Sequence, residues 1–68
     1  MTDHVYKIIE VTGTSKVSSD DAVANAIKKA AQSVHNLRWF VVTETRGSVE
    51  WDKIERWQVT IKVGFTLD

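Results

Sequence analysis

The sequence predicts an α+β fold of the order β-α-β-β, in which one helix packs on a three-stranded sheet. Two observations indicate this fold. An alanine-rich segment with helical spacing follows a short N-terminal strand pattern, and a long C-terminal segment alternates between apolar and polar residues. A crossover through a helix aligns the first two strands in the same direction, and a tight hairpin makes the last two antiparallel. The simplest sheet places the third strand in the centre, in the order 1-3-2.

The first predicted strand runs from His4 to Thr12, where β-branched and aromatic side chains predominate. Apolar residues occur at both parities of this strand, which indicates that both of its faces are covered. The segment from Gly13 to Lys16 interrupts the pattern and is predicted to form a loop.

The helix is predicted to begin after Ser18, which with Asp21 three residues later approximates a capping box. Carboxylates in the first turn are favoured by the positive end of the helix dipole. The helix is predicted to end near His35-Asn36, because asparagine tolerates the left-handed conformation that ends helices. Its apolar residues recur at helical spacing: Val23, Ala26, Ile27, Ala30 and Val34.

The second predicted strand runs from Arg38 to Thr45, and Gly47-Ser48 indicates a bulge or bend. The segment Glu50 to Lys53 is the predicted hairpin turn. The third strand, from Ile54 to Leu67, has the clearest alternation. The side chains at its odd positions are apolar and are predicted to face the helix. These are Trp57, Val59, Ile61, Val63, Phe65 and Leu67.

Length and composition limit the possible functions. The 68 residues form one predicted domain, 1–68, and a chain this short buries only about 60% of its unfolded surface. There is no cysteine and no Cys/His spacing typical of zinc sites, so neither a disulfide nor a metal is expected, and oligomerisation is the expected support. Nine basic residues balance nine acidic ones, which argues against nucleic acid as a partner. With no membrane-length apolar stretch and no signal-peptide pattern, we expect a soluble cytoplasmic protein.

One helix can cover only one face of the sheet. Apolar side chains on the other face are therefore expected to contact neighbouring subunits, Tyr6 or Ile8 among them. In the second strand, the side chains expected to contact neighbouring subunits are either Phe40 and Val42 or Trp39 and Val41.

Several short motifs follow one another along the chain: Gly13-Thr14-Ser15, the alanine-rich helix, Asn36-Leu37-Arg38-Trp39-Phe40, Arg46-Gly47, Trp57-Gln58-Val59 and Lys62-Val63-Gly64-Phe65. They occur in the order in which they occur in the dodecins, a family of small flavin-binding proteins, and over its whole length the chain resembles that family. The resemblance implies a hollow dodecamer that stores or sequesters flavins such as riboflavin, FMN or the degradation product lumichrome, and it implies no catalysis.

The resemblance also implies roles for three residues. Trp39 matches the tryptophan that stacks on the isoalloxazine ring, where an electron-rich indole quenches the fluorescence of the flavin. Gln58 matches the glutamine that forms hydrogen bonds with the polar edge of the ring. Arg46 matches an arginine of bacterial members that lies near the ligand or its entry.

The chain departs from the family pattern at three places. Thr66 stands where many bacterial members carry an arginine associated with the flavin phosphate, which weakens any prediction of phosphate selectivity. Arg38 replaces an acidic residue, and Trp51-Asp52 replaces a turn that usually contains glycine.

Strand alternation raises one conflict. A turn near Asp52 places Arg46 beside Gln58 on paired strands, on the face away from the helix. Strict alternation along the second strand places the side chains of Trp39 and Arg46 on opposite faces of the sheet. Either the strand is irregular near Trp39 or Gly47, or the site takes its groups from different subunits. We favour the second explanation.

No catalytic set is apparent, because the two histidines lie near chain or helix ends and the only candidate phosphate-loop glycine, Gly13, stands alone. Flavin storage is therefore the first hypothesis. The alternatives are a ligand-free structural or regulatory oligomer of the same fold, and a single-strand nucleic-acid binder with Trp39 or Phe40 as its stacking platform, which the neutral charge disfavours.

Overall fold

A computed structural model describes residues 3–67. It contains strand β1 (Tyr6–Ser15), helix α1 (Ser19–Ala31), strand β2 (Leu37–Glu50) and strand β3 (Lys53–Thr66). Strand β3 lies between β1 and β2 and pairs antiparallel with both. The predicted β-α-β-β fold and the strand order 1-3-2 are therefore confirmed.

The core lies between β3 and α1. Val59, Ile61 and Val63 are almost completely buried, as the alternation of β3 predicts. They pack against the small side chains Ala22 and Ala26 of α1, which allow the helix to approach the sheet closely. Each buried valine or isoleucine contributes about 1.5–3 kcal/mol to folding. The helix packs on β1 and β3, so β2 lies largely beyond its cover.

The N-terminal cap of α1 combines helix and strand residues. The Ser18 hydroxyl accepts a hydrogen bond from the Asp21 backbone N–H at 3.0 Å, as the capping prediction requires. The Asp21 carboxylate does not complete the box but accepts a hydrogen bond from the buried Ser15 hydroxyl at 2.6 Å. The Ser15 oxygen in turn accepts one from the Val17 N–H at 2.9 Å. The last residue of β1 therefore connects the strand to the start of the helix.

The prediction of a loop from Gly13 to Lys16 was wrong for its first three residues. Gly13, Thr14 and Ser15 continue β1 and pair with β3. Residue 13 is glycine because α1 approaches β1 closely at this position. A Cβ at residue 13 would overlap the Ala22 carbonyl oxygen and lie 2.8 Å from the Ala26 Cβ. The glycine therefore serves helix packing rather than a turn.

The helix is also shorter than predicted, because it ends at Ala31 and not near His35-Asn36. The backbone N–H groups of Gln32 and Ser33 donate hydrogen bonds to the carbonyl oxygens of Lys29 and Ala30, respectively, and these bonds tighten the last turn. Asn36 does adopt the expected left-handed conformation, with φ of 66°, in the connection to β2.

The β2–β3 hairpin is longer than predicted, because β2 continues through Gly47-Ser48 to Glu50. The register shifts directly after Ser48, so an irregularity lies next to the predicted one, but its extra residue is Glu55 of β3 rather than Gly47 or Ser48. There the Ser48 hydroxyl donates a hydrogen bond to the Glu55 carboxylate at 2.7 Å, which lowers the pKa of Glu55.

The turn lies where it was predicted. Its central residues Trp51 and Asp52 have φ of 55° and 61°, the positive values of a type I′ turn, although neither is glycine.

We predict that Gly13→Ala destabilises the fold by about 1–3 kcal/mol, because the added methyl group must displace α1 from the sheet. Urea unfolding followed by circular dichroism measures this. Thr14→Ala is the matched control, since the exposed Thr14 side chain is on the opposite face of the same strand. Equal stability of Gly13→Ala and wild type would show that α1 does not depend on this close approach.

Candidate ligand-binding site

The sheet face opposite α1, called the outer face, carries all three predicted site residues. Side chains alternate along each strand, so the residues paired with the even positions of β3 share this face. No helix of the described chain covers it. The outer face includes Tyr6, Ile8, Glu10, Thr12, Thr14, Trp39, Val41, Glu44, Arg46, Gln58, Thr60, Lys62 and Gly64.

Trp39 lies against β3 at Gly64. A Cβ at residue 64 would overlap Cε2 and Cζ2 of the Trp39 indole and lie 2.7 Å from its Nε1. The Tyr6 ring meets the indole from the other side of β3, with ring centroids 6.0 Å apart and an interplanar angle of 66°. This T-shaped contact is a favourable aromatic geometry. The indole is therefore held in place while 38% of Trp39 stays exposed.

Sequence reasoning did not assign a role to Gly64 or to the Tyr6–Trp39 contact. A glycine inside an otherwise alternating strand is a sign of a closely approaching group. That signal was available in β3. The partner of Gly64 could not be inferred, because it depends on the register between β2 and β3.

A bulge in β2 resolves the parity conflict between Trp39 and Arg46. The pairing shifts by one residue between Val42 and Glu44, so Thr43 is the extra residue. The Thr43 hydroxyl donates a hydrogen bond to the Thr60 carbonyl oxygen at 3.2 Å, which stabilises the irregular backbone. Trp39 and Arg46 consequently share the outer face. Strand irregularity, the less favoured explanation, accounts for the shared face, but the irregularity responsible lies at Thr43 and not near Trp39 or Gly47.

Arg46 and Gln58 are direct cross-strand partners, as predicted. The Arg46 Nε donates a hydrogen bond to the Gln58 Oε1 at 3.1 Å. On the other side, the Arg46 Nη1 lies 3.7 Å from the Glu44 carboxylate, with both side chains more than half exposed. The guanidinium therefore lies between an amide and a carboxylate on the open face.

Trp39 and Gln58 are far apart within one chain. Trp39 pairs with Gly64, which is six residues from Gln58 along β3. At the rise of an extended strand this separation is roughly 20 Å. An isoalloxazine ring is clearly shorter than this distance, so the two side chains of one protomer cannot contact the same ring. Trp39 and Gln58 therefore mark two separate candidate half-sites on each protomer, a Trp39 end and a Gln58 end.

The positions that depart from the family pattern differ in their surroundings. Thr66 is 5% exposed, and its buried hydroxyl has no hydrogen-bond partner within residues 3–67. It supplies no charge to a phosphate. Arg38 borders the Trp39 end on an exposed stretch of β2. Trp51 at the hairpin tip is 87% exposed, far from both half-sites along the sheet.

Across residues 3–67, no group of three or more histidine or acidic side chains is close enough to hold a metal ion. In the same range, no helix has the length and apolar character needed to cross a membrane.

The fold and the open aromatic face define a small protein in which a three-stranded sheet packs on a single helix and leaves its other face uncovered. The family model for dodecin matches residues 5–68, and the chain belongs to the dodecin family. The dodecin of Thermus thermophilus is 36% identical over 64 residues, which cover 94% of this chain and 93% of the relative. The dodecin structure from Streptomyces davaonensis superposes with a TM-score of 0.93 at 46% identity and covers 98% of both chains. A protein of Mycobacterium tuberculosis named calcium dodecin is 32% identical and covers 93% of this chain and 89% of its own length.

We predict that Gly64→Ala displaces the Trp39 indole, because the new methyl group occupies the space of the ring. Proton NMR is expected to show loss of the contacts between the Trp39 and Tyr6 rings. Thr60→Ala, on the same strand and face, is the control. Unchanged Trp39–Tyr6 contacts in Gly64→Ala would contradict this arrangement.

Proposed function

We propose that this protein binds flavins and stores or sequesters them, with the isoalloxazine ring of riboflavin or FMN, or of lumichrome, stacked on Trp39 at subunit interfaces. In this role the protein buffers free flavin and limits its photochemistry without turning over a substrate. The proposal assigns the whole chain, 1–68, to one dodecin-like domain that acts in the cytoplasm.

The observation that carries the proposal is the position of the Trp39 indole against Gly64 and Tyr6. Gly64 and Tyr6 hold the indole in one position, yet more than a third of the residue remains exposed. A fixed, partly exposed aromatic ring binds a flat ligand without an additional ordering cost. Indole is electron-rich and oxidised flavin is electron-poor, so their stack is favourable and provides a route for rapid quenching.

The separation of the two half-sites supports a site shared between protomers. If the Trp39 end of one protomer faces the Gln58 end of another, one ring receives both the stack and the hydrogen bonds. The proposed assembly is a hollow homododecamer, the form that membership of the family implies.

Apolar surface left open by one protomer supports such an assembly. A cavity of about 160 Å³ lies between Ile27 of α1 and β2, and a second of about 370 Å³ flanks α1 beside β1. Large apolar side chains are exposed on both sides of the sheet, which is unusual for a stable monomer. They include Tyr6, Ile8, Phe40, Val41, Val42, Val49 and Ile54.

The alternative function is a ligand-free structural or regulatory oligomer of the same fold. Thr66, which offers no charge, and Arg38 beside the tryptophan are the features that favour it. Purified protein distinguishes the two functions: flavin storage gives a protein that quenches added riboflavin, whereas the alternative gives an assembly that leaves the fluorescence unchanged. A parallel titration with calcium tests the ligand that the Mycobacterium tuberculosis relative carries in its name.

We predict that Trp39→Ala lowers flavin affinity by roughly tenfold to hundredfold, because one stacked ring contributes about 1–3 kcal/mol. Any flavin that still binds is expected to regain much of its fluorescence, since the electron donor is gone. Fluorescence titration with riboflavin measures both effects.

Trp51→Ala is the matched control for this prediction, because it removes an indole that is exposed and distant from both half-sites. Its affinity and quenching are expected to equal those of wild type. Equal binding by Trp39→Ala and wild type would refute the stacking role of Trp39.

We also predict that the protein is a compact oligomer, with a mass in solution near twelve times that of the 7.7 kDa chain. The physical reason is the apolar surface that a single helix leaves open. Multi-angle light scattering after size exclusion measures the mass. A folded monomer at micromolar concentration would exclude both the assembly and a site between subunits.

A further inference from the structure

The hydrogen bond between Arg46 and Gln58 determines which way the Gln58 amide points. The Arg46 Nε donates to the Gln58 Oε1 at 3.1 Å. The oxygen and nitrogen of an amide are hard to distinguish by shape, but a guanidinium carries only donors. The amide atom that faces Arg46 must therefore be the carbonyl oxygen. The amide NH2 of Gln58 consequently points away from Arg46.

The backbone reinforces this orientation. Arg46 and Gln58 are direct partners in the β2–β3 ladder, so their side chains leave the sheet side by side. Glu44, two residues before Arg46 on the same face, lies 3.7 Å from the guanidinium. That ion pair is exposed and therefore weak. It adds a slight preference for the observed position of Arg46, whereas the hydrogen bond fixes the amide.

We propose that Arg46 is a positioning residue that acts on the ligand through Gln58. It holds the Gln58 carbonyl toward itself, so that the free NH2 group selects ligands with a hydrogen-bond acceptor, such as a ring carbonyl oxygen, at the contacting edge. This inference rests on the proposed flavin site and specifies the chemistry of its polar end. It also assigns Arg46 a role other than direct contact with the ligand or its phosphate.

The test is a double-mutant cycle on the full-length protein, titrated with riboflavin and FMN. Gln58→Leu is expected to weaken binding roughly threefold to tenfold, the effect of one lost hydrogen bond. Arg46→Met, which keeps the length of the side chain and removes its donors, is expected to weaken binding roughly threefold by freeing the amide. Because Arg46 acts through Gln58, the double variant is expected to bind no more weakly than Gln58→Leu alone.

Two conservative variants sharpen the test. Arg46→Lys retains a donor for the Gln58 oxygen and is expected to bind within about twofold of wild type. Gln58→Glu keeps the contact with Arg46 but offers the ligand an acceptor instead of a donor, so it is expected to weaken binding at least as much as Gln58→Leu. Arg56→Met, which removes a partly exposed arginine from β3, controls for the loss of one positive charge.

Losses that multiply in the double variant would overturn the inference, as would wild-type affinity in Gln58→Glu. A larger loss for FMN than for riboflavin in Arg46→Met would also overturn it, because it would show that Arg46 binds the phosphate directly. These results leave the proposed function intact if wild type quenches flavin in a Trp39-dependent manner. Failure of wild type to bind any flavin would overturn both.

Discussion

The extent of the single helix is the constraint on which the rest of this structure depends. Helix α1 has 13 residues and packs on β1 and β3, so it covers one face of these two strands and does not extend over β2. Strand β2 and the whole outer face are left open. In a monomer such surface would be a liability. Under the proposed function, it is the surface that binds a flat ligand and contacts further protomers.

Close packing is achieved at two glycines on opposite faces of the sheet. Gly13 lets the backbone of α1 approach β1, and Gly64 lets the Trp39 indole lie directly on β3. The first contact stabilises the protomer and the second positions the Trp39 indole. The same feature, the absence of a Cβ, thus allows helix packing on one face of the sheet and the close approach of an aromatic ring on the other.

Under the proposed function, the outer face also separates two kinds of ligand recognition. The Trp39 end provides an aromatic surface held by Gly64 and Tyr6, whereas the Gln58 end provides a polar group oriented by Arg46. Their separation along β3 prevents one protomer from forming a complete site. Under the proposed function, binding is therefore linked to assembly: a change that alters how protomers meet would alter the affinity for the ligand even if both half-sites stay intact.

Local patterns in the sequence determined much of this protein. The alternation of β3, the serine cap of α1, the hairpin turn and the pairing of Arg46 with Gln58 depend on neighbouring residues or on counting across a short turn, so they were predictable. The extent of β1, the end of α1, the bulge at Thr43 and the seat of Trp39 on Gly64 were decided only by the tertiary structure. The extent of β1, the bulge at Thr43 and the position of Trp39 on Gly64 depend on contacts between residues distant in sequence. A one-residue shift in register reverses the face of every side chain beyond it, and no local pattern revealed the shift at Thr43.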